Sequence, residues 1–539
     1  MKYFYTFIFI FAFIFFASAC SKTAADFDID PPGFSLPTQS QVNEPTPSPV
    51  AEPTVAAVPP IGIITPEPTA GQQENTESNN GHQAGEEIPA PTPIPQPEPT
   101  TEPTPVPEPT PADVSQEPAA TPAHQSPIQT ASGRVGPRPN TSPDPANSVY
   151  VSPNGNDSTA NGSISAPYKS INTALAAADP GSTIILRGGT YREGVNVRIR
   201  KPNITIKSAQ NEWAVIDLTV HNAGADEDSG VYFDVGSSGG KLQNVEVMGG
   251  FYAVCTETKW DWGDPSDRSG ASNILIEDCV LHSSKYDVIK VKPNCNYVTI
   301  RFNEIFNSGQ AFAGKPKNGE DNAEGIDNVN GANMTVQNNY IHDICSTAVY
   351  AKGGATDALI ENNLIERAYG AGIMVGFDTS PEFFNRSTNP NYYENIRGVV
   401  RNNLIIDTGW EGIGLYASKD ANVYNNTLVN VANGGQYHSA IYFGLTYQDW
   451  EPHAGRPANV NPSVFKNIVS QPSAIVRPMI EIRYDNNEHL GIMSALEGKP
   501  AMHDNCYFIS GKVASFTDRR PGGMPDGGGL ADWQSHIGG

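Results

Sequence analysis

A short unit with the pattern apolar-x-x-Asn-x-apolar recurs through the second half of the sequence. Successive units lie 24, 36, 24, 40, 23 and 41 residues apart, and their central positions are Cys279, Asn303, Asn339, Asn363, Asn403, Asn426 and Asn467. A base period of about 24 residues with insertions on particular turns is typical of stacked coils with variable loops. Asparagine tolerates the left-handed conformation of a turn and can bond to the backbone or to the next asparagine. We therefore interpret this column as structural.

A second recurring feature is a pair of small or apolar residues between the asparagine units. The pairs are Val288-Ile289, Gly325-Ile326, Ala348-Val349, Gly372-Ile373, Gly412-Ile413 and Ala440-Ile441. Each repeat therefore holds at least two short strands. The alternating apolar residues exclude a helical bundle, and the lack of four strands per repeat disfavours a propeller.

Upstream of the repeats, the sequence predicts a strand near residue 150 and a short amphipathic helix over residues 171–178, capped by Ser170 and ended by Asp179-Pro180-Gly181. Two more strands follow before residue 192. This order resembles the start of right-handed parallel β-helices, in which a helix covers the open end of the first coil. The resemblance implies an all-β chain, a right-handed parallel β-helix (solenoid) with a short N-terminal capping helix, over residues 148–539.

The first 147 residues have a different composition. Residues 1–19 have a charged start, a short apolar run and small residues at the end, as a secretory signal does. The small residues before Cys20 resemble a bacterial lipobox, which implies cleavage there and lipid attachment to Cys20; the alternative is an ordinary signal peptide with an incidental cysteine. Residues 20–147 are rich in proline, threonine and glutamate, so we expect a disordered linker. The chain is then exported and lipid-anchored to the bacterial cell envelope, at the outer membrane or cell surface.

The charge balance limits the partners. The formal net charge is -24, and residues 21–147, with 16 acids and 3 bases, supply about half of it. The remaining chain is still acidic, which argues against nucleic acid as a partner because nucleic acid needs a basic surface. An acidic polysaccharide is compatible with this charge only if metal ions mediate the contact. We expect a monomer.

Aligning the repeats on the second residue of each apolar pair collects charged side chains on one face. By the two-residue alternation of a strand, positions one and three residues later point out of the coil, and the turn lies two residues before. The residues at these positions in three consecutive coils include Asp287, Lys290, Lys292, Glu324, Asp327, Tyr350 and Lys352.

Adjacent coils are about 4.8 Å apart, so Asp287, Glu324 and Asp327 can share one ion. Hard carboxylate ligands of this kind suit Ca²⁺, which takes six to eight oxygens. The alternative is a set of surface salt bridges to Lys290 or Lys292, each contributing ~0 to 1 kcal/mol. The spacing alone leaves both open.

The order of these residues resembles the pectate lyases of polysaccharide lyase family nine. The matching residues are Asp287 and Lys292, then Ala323-Glu324-Gly325-Ile326-Asp327, then Ala348-Val349-Tyr350-Ala351-Lys352-Gly353-Gly354. The resemblance implies that Asp287, Glu324 and Asp327 bind calcium and that Lys352 is the catalytic base. Two positions depart from the family pattern, because Ala323 stands where an aspartate is expected and Glu324 replaces another. Candidates for the missing ligand are Asp321, Asn322 and Asn328.

The implied reaction is β-elimination in a uronic-acid polysaccharide. The base must be neutral, so we expect calcium, Lys292 and partial burial to lower the pKa of Lys352. Tyr350 or water would assist departure of the C4 oxygen. Insertions rich in aromatic residues border this face, as the walls of sugar-binding grooves often do. The expected substrate-binding residues are Lys290, Glu411, Tyr416, His438 and Trp450.

Two other functions remain open at this point. A uronan C5-epimerase would use the same proton abstraction. A non-catalytic glycan-binding protein or adhesin would hold a polysaccharide in the groove without chemistry. The distinguishing residue is Lys352, because a binding module does not need a lysine with a lowered pKa. A hydrolase is disfavoured because the outward columns lack a clear pair of separated carboxylates.

Overall fold

The computed structural model describes residues 128–538, except residues 132, 220–227, 261–266, 312–314, 317–322, 435–437, 447–454 and 488–490. Within these residues the chain is a right-handed parallel β-helix, as the sequence predicts. Each complete coil contributes one strand to each of three long sheets, here called sheet one, sheet two and sheet three. The predicted signal sequence, Cys20 and most of the linker lie outside the described residues. Within the described ranges, no helix is long and apolar enough to cross a membrane.

The strands follow one another in the order sheet one, sheet two, sheet three. Sheet one comprises Val149–Val151, Thr183–Leu186, Thr205–Ser208, Lys241–Gln243, Leu275–Glu277, Thr299–Arg301, Thr335–Gln337, Leu359–Glu361, Val399–Arg401, Asn422–Tyr424, Ser463–Phe465 and Ala501–His503. Sheet two comprises Gly189–Tyr191, Ala214–Leu218, Val245–Gly249, Val280–His282, Glu304–Phe306, Tyr340–Ile344, Leu364–Ala368, Leu404–Thr408, Thr427–Val429, Ile468–Gln471 and Cys506–Ile509. Sheet three comprises Val197–Ile199, Val231–Phe233, Val254–Thr256, Ile289–Val291, Ile326–Val329, Val349–Lys352, Ile373–Val375, Ile413–Tyr416, Ile441–Gly444, Ile480–Ile482, Phe516–Asp518 and the antiparallel Met524–Gly528.

Several small elements lie beside these sheets. They are the three-stranded sheet Ala355–Thr356, Asn395–Ile396 and Ser418–Lys419, the antiparallel pairs Ile128–Thr130 with Gly133–Val135, Gln310–Ala311 with Lys315–Pro316 and Tyr484–Asn487 with Gly491–Ser494, and the 3-10 turns Val235–Ser237 and Pro381–Phe383.

The asparagine column forms a buried ladder between sheets one and two. Each side-chain oxygen accepts from the backbone N–H and the amide of the preceding member, and each amide donates to a strand carbonyl; Asn339 Nδ2, for example, lies 3.0 Å from Asn363 Oδ1. Cys279 begins the ladder by donating its N–H to Asn303. The left-handed conformation expected of the column is instead adopted by the residue before each member, such as Asn338 and Asn362. The ladder residue itself supplies hydrogen bonds.

A single apolar core fills the coil from end to end, because alternate strand residues point inward. The predicted capping helix is present as Ile171–Ala177, and Ser170 accepts a hydrogen bond from Thr173 N–H as its N-cap. Its buried face, including Ile171, closes the first coil. At the other end the helix Leu530–Ile537 packs Trp533 against Phe516, with ring centroids 5.6 Å apart. Both open ends of the core are therefore covered.

The described chain begins before the predicted boundary at residue 148. Val135 is fully buried against Tyr340 and Leu364 on the outer face of sheet two. Arg138 pairs with Glu277 at 2.6 Å and with Asp278 at 2.7 Å. The last part of the segment assigned to the linker therefore contacts the β-helix.

Candidate active site

The strand register of sheet three stacks the predicted residues as the sequence alignment does. Lys290 pairs with Asp327, and Asp327 with Tyr350. Val329 pairs with Lys352 in the column two residues further along. The inward neighbours of these residues lie in the apolar core, so the charged side chains face outward. The predicted columns are confirmed in the structure.

Three carboxylates from two coils form a compact cluster. One oxygen each of Asp287, Glu324 and Asp327 lies within 4.8 Å of the others, and all three residues are at most 2% exposed. Asp287 also accepts the Glu324 backbone N–H at 3.1 Å. Burial and the nearby Asp287 charge raise the pKa of Glu324 well above its usual range. The cluster is therefore short of positive charge.

Lys290 supplies part of the missing charge. Its ammonium lies 3.1 Å from Asp287 Oδ2 and donates a short hydrogen bond to Asp327 Oδ2. Although burial opposes the charge, Asp287 and Asp327 raise the pKa of Lys290 well above its ordinary value. The residue assigned to substrate binding thus lies between two of the candidate metal ligands.

Two carboxylate oxygens of this buried cluster remain without a hydrogen bond from any described residue, Glu324 Oε2 and Asp327 Oδ1. Buried carboxylate oxygens of this kind require a cation or a donor. Three acidic side chains, two of them with an unsatisfied oxygen, fit a hard divalent cation such as Ca²⁺. Asn328 does not supply a further ligand, because its amide bonds to both backbone groups of Gly331. Asp321 and Asn322 lie outside the described residues.

Lys352 faces the acidic cluster from the next coil. Its ammonium lies 3.7 Å from Asp327 Oδ2 and 4.4 Å from the centre of the Tyr350 ring. Burial disfavours the charge, but Asp327 and Glu324 outweigh it and raise the pKa of Lys352. The expected lowering of the Lys352 pKa is therefore absent in the protein alone, because the carboxylates of Asp327 and Glu324 lie close to this lysine.

The other predicted contributor to that lowering points elsewhere. Lys292 lies 2.9 Å from Glu257 and near the Tyr232 ring, two coils from Lys352 in the same column. Lys290, rather than Lys292, is the lysine whose charge acts on Lys352. The two lysines lie two residues apart in the two outward columns, and Lys290 enters the cluster whereas Lys292 pairs with Glu257.

Aromatic side chains continue the same face beyond Lys352. Tyr350 stacks on Phe377 at 5.5 Å, and Phe377 meets Tyr416 edge-on at 5.4 Å. Burial, together with Glu324, raises the pKa of Tyr350 well above its usual range. The phenol is therefore protonated at neutral pH.

Glu411, Tyr416 and His438 lie together at the far end of this aromatic strip. The Tyr416 hydroxyl donates to Glu411 Oε1 at 2.7 Å. His438 Nδ1 lies 2.6 Å from Glu411 Oε2, an ion-pair distance without hydrogen-bond geometry, and its ring stacks on Trp410. Trp450, the remaining predicted substrate-binding residue, lies outside the described residues.

Sequence alignment of the repeats did not identify three further charged residues near Lys352. Burial raises the pKa of Asp378 to about 6, although the Lys352 charge opposes this. Burial also raises the pKa of Glu394 to about 7, and Arg456 lies 3.2 Å from its carboxylate. All three come from insertions between repeats, where no column relates them to the active strip. Their only signal was their position in loops that border sheet three.

The insertions also brace one another. Trp260 Nε1 donates to the Glu382 carbonyl at 2.7 Å, which joins two loops from different coils. Arg456 contacts the rings of Phe384 and Tyr392. These contacts therefore pack the insertions against one another.

Together these observations define a right-handed parallel β-helix that carries an acidic cluster, a buried lysine and an aromatic strip on one sheet. A family described as "Right handed beta helix region" matches residues 268–442, and one described as "Protein of unknown function (DUF1565)" matches residues 153–199. The first match agrees with the fold seen here.

Among curated proteins, the chain is similar to pectate lyase PEL9 of Emericella nidulans, with 42% identity over 74 residues. The match covers 13% of this chain and spans 18% of the length of that lyase.

Solved structures with a similar fold share little sequence with this chain. The A-module of mannuronan C-5 epimerase AlgE4 from Azotobacter vinelandii is 14% identical, with a TM-score of 0.41 over 64% of this chain and 93% of that one. PfbA, a surface adhesin of Streptococcus pneumoniae, is 13% identical, with a TM-score of 0.41 over 66% and 90%. An alginate lyase from Paenibacillus is 14% identical, with a TM-score of 0.37 over 64% and 96%.

Proposed function

We propose that this protein is a calcium-dependent polysaccharide lyase that cleaves a uronic-acid, pectate-like polysaccharide by β-elimination. The observation that carries the proposal is the buried lysine 3.7 Å from a three-carboxylate cluster with unsatisfied oxygens. The short similarity to a pectate lyase supports the same reaction class. Asp287, Glu324 and Asp327 would hold the calcium ion.

The base in this proposal is Lys352. When bound, calcium supplies positive charge that offsets the acidic cluster and the substrate carboxylate. Once Asp327 and Glu324 are offset, burial is the main influence left on Lys352 and favours its neutral form. The neutral amine takes the proton from C5 of the uronate. The C5–H electron pair then forms the C4–C5 double bond as the C4–O bond breaks.

Tyr350 is the proposed acid. Its phenol stays protonated because burial and Glu324 raise its pKa, and it stacks beside Lys352 on the same face. The hydroxyl donates its proton to the departing glycosidic oxygen, which balances the proton taken by Lys352. The aromatic strip and the group Glu411, Tyr416 and His438 would bind sugar rings further along the polysaccharide.

We further propose that the protein is exported as a monomer and held at the bacterial envelope by lipid on Cys20. The proline-rich residues after it would act as a spacer that lets the β-helix reach a polysaccharide beyond the membrane. Metabolic labelling with a radioactive fatty acid tests this anchor. The protein with Cys20 should incorporate the label, and the Cys20→Ala variant should not.

The reaction itself is tested by ultraviolet absorbance of the unsaturated product. Polygalacturonate, alginate and a glycosaminoglycan are incubated with the full chain, with added calcium or with EDTA. Absorbance should rise with at least one polymer, require calcium and disappear in Lys352→Ala. No rise with any of these polymers would contradict the lyase proposal.

The same samples separate the two alternatives. A C5-epimerase run in deuterated water would introduce deuterium at C5 without forming the unsaturated product. An adhesin would bind the polymer and leave it unchanged, in both the parent chain and Lys352→Ala.

A further inference from the structure

Three arginines converge on one buried carboxylate four coils beyond Lys352. Glu481, in Ile480–Ile482 of sheet three, has a fully buried side chain. Its Oε2 lies 2.6 Å from Arg477 Nη2, and its Oε1 lies 2.6 Å from Arg519 Nε and 3.2 Å from Arg483 Nη1. Arg477 Nε also donates to the His438 carbonyl. We call Arg477, Arg483, Arg519 and Glu481 the arginine cluster.

The arginine cluster carries more positive than negative charge. Three guanidinium groups share the Glu481 carboxylate, and among the described residues the exposed Asp485 is a further acid that acts on Arg483. Their described hydrogen bonds use four N–H groups, whereas each guanidinium has five donors. The arginine side chains are 15%, 26% and 38% exposed. The buried carboxylate thus orients cationic donors that still reach solvent.

The arginine cluster lies in line with the candidate active site. Tyr350, Met374, Gly414, Tyr442 and Glu481 pair in turn across sheet three, so they form one outward column. At about 4.8 Å per coil, the four steps cover roughly 19 Å. The aromatic strip, which continues from Tyr416 to the neighbouring Tyr442, lies between the two sites. An extended polysaccharide bound along this column would contact Lys352 at one end and the arginine cluster at the other.

We propose that the arginine cluster binds a carboxylate of an acidic polysaccharide, several sugar residues away from Lys352. A guanidinium matches a carboxylate in shape and donates two parallel hydrogen bonds to it. The inference rests on the proposed function, because both require a uronan lying along sheet three. It adds that a long chain binds more tightly than a short one, since only a long chain reaches both sites.

The test measures binding rather than cleavage, in the full chain carrying Lys352→Ala so that the polymer stays intact. Polygalacturonate and alginate, their trisaccharides, and dextran as a neutral polymer are titrated by calorimetry with calcium present. Arg519→Ala should weaken binding of at least one polyuronate by about tenfold, as expected for loss of a charge-assisted hydrogen bond. Binding of the trisaccharide should not change.

Arg401→Ala is the matched control. Arg401 is similarly exposed, at 36%, and pairs with the buried Glu361 at 2.6 Å, but it lies on sheet one. It should leave binding unchanged. Arg483→Gln repeats the test on the arginine with the longer contact to Glu481, at 3.2 Å. Thermal unfolding checks that each variant is folded. The inference would be overturned if Arg519→Ala and Arg483→Gln are both folded and bind polyuronate as tightly as the Lys352→Ala chain without them. It would also be overturned if neither polyuronate binds.

The two proposals fail separately. Arginine-dependent binding by a protein that forms no unsaturated product would contradict the lyase and leave the arginine cluster as a uronan-binding site. Formation of unsaturated product with unchanged binding in the arginine variants would contradict the arginine cluster alone.

Discussion

Lys290 holds the position between Asp287 and Asp327 that a divalent cation would also favour. Like charges at this separation repel strongly in a buried site, so the three carboxylates need a positive partner or a proton on Glu324, whose pKa is raised. In the protein alone, Lys290 and Lys352 provide it. A bound cation would therefore compete with the Lys290 ammonium for the same carboxylate oxygens.

Replacing Lys290 with methionine tests this competition. Without calcium, Lys290→Met should lower the unfolding free energy by about 3 to 5 kcal/mol, because a buried ion pair loses one partner. Calcium should bind at least about tenfold more tightly than in the parent chain, and its stabilising effect should grow accordingly. Calcium titration by calorimetry and unfolding with calcium or EDTA measure both effects.

Lys292→Met is the control for this experiment, because Lys292 lies two residues away and is similarly buried but pairs with Glu257. It should not change calcium affinity. Equal calcium affinity in Lys290→Met and the parent chain would show that Lys290 does not compete, and no calcium binding in either would remove the metal site.

His342 makes stability depend on pH. Burial opposes its charge, but hydrogen bonds to Asp343 and Glu304 outweigh burial and raise its pKa. A histidine whose pKa is higher in the folded state stabilises the protein below its unfolded pKa of about 6.5, and this contribution is lost as pH rises through the folded value.

The pH effect should disappear in His342→Gln. The unfolding free energy of the parent chain should be higher than that of His342→Gln, and the difference should be largest at mildly acidic pH. There it should reach about 1.4 kcal/mol for each unit by which folding raises the His342 pKa. The difference should shrink above neutrality. Denaturant unfolding across this pH range provides the measurement, with the exposed His503→Gln as control. A difference that stays constant with pH would contradict this role of His342.

At this scale the sequence predicted the acidic cluster and Lys352, because strand alternation and coil stacking determine which residues share a face. It did not predict that Lys290 rather than Lys292 enters the cluster, since side-chain direction depends on the neighbouring Glu257. Asp378, Glu394 and Arg456 could not be predicted either. They come from insertions whose paths follow loop packing rather than the repeat.

At the scale of elements, the asparagine ladder explains how coils of unequal length keep one register. Each ladder amide bonds to the coil before and the coil after it, so an insertion elsewhere in a repeat does not shift the strands. The repeat therefore predicted the strand order, although the intervals vary from 23 to 41 residues. The paths of the insertions were not predictable from it.

Asn426→Ala should destabilise the β-helix by about 2 to 4 kcal/mol. The substitution removes the Asn426 Oδ1 acceptor, so the buried Asn403 backbone N–H and one hydrogen of the Asn403 amide lose their partner, while the amide keeps its bond to the Ile360 carbonyl. Asn425→Gly is the control, because Asn425 is exposed and has a φ of 55°, which glycine adopts freely. It should change the unfolding free energy by less than about 1 kcal/mol. Equal effects of the two substitutions would contradict a stabilising ladder.

At the scale of the whole molecule, the β-helix extends to the segment that the composition assigned to the linker. Residues 128–147 have the proline content of the linker, and composition alone could not distinguish them from it. The structure separates them by contact: Val135 is buried on sheet two, and Asn140 donates to the carbonyls of Ser208 and Ala209. We therefore predict that residues 128–147 belong to the β-helix domain rather than to the linker.

Trypsin can locate this boundary in the full chain. Between Lys22 and Arg134 the sequence has no lysine or arginine, and Pro139 follows Arg138, so Arg134 is the first favourable site after Lys22. Cleavage there should be slow, because Val135 on its C-terminal side is buried between Tyr340 and Leu364. Val135→Asp should release the segment and speed cleavage after Arg134 by at least about tenfold, since a charge cannot remain in an apolar site.

Mass spectrometry of the tryptic fragments gives the rate at this bond. The exposed Gln129→Asp serves as the control, because it adds the same charge in the same segment without leaving an apolar site, and it should not speed cleavage. Rapid cleavage after Arg134 in the parent chain would show that residues 128–147 behave as linker. Slow cleavage in the parent and fast cleavage in Val135→Asp would show that the β-helix domain begins before Val135 rather than at residue 148.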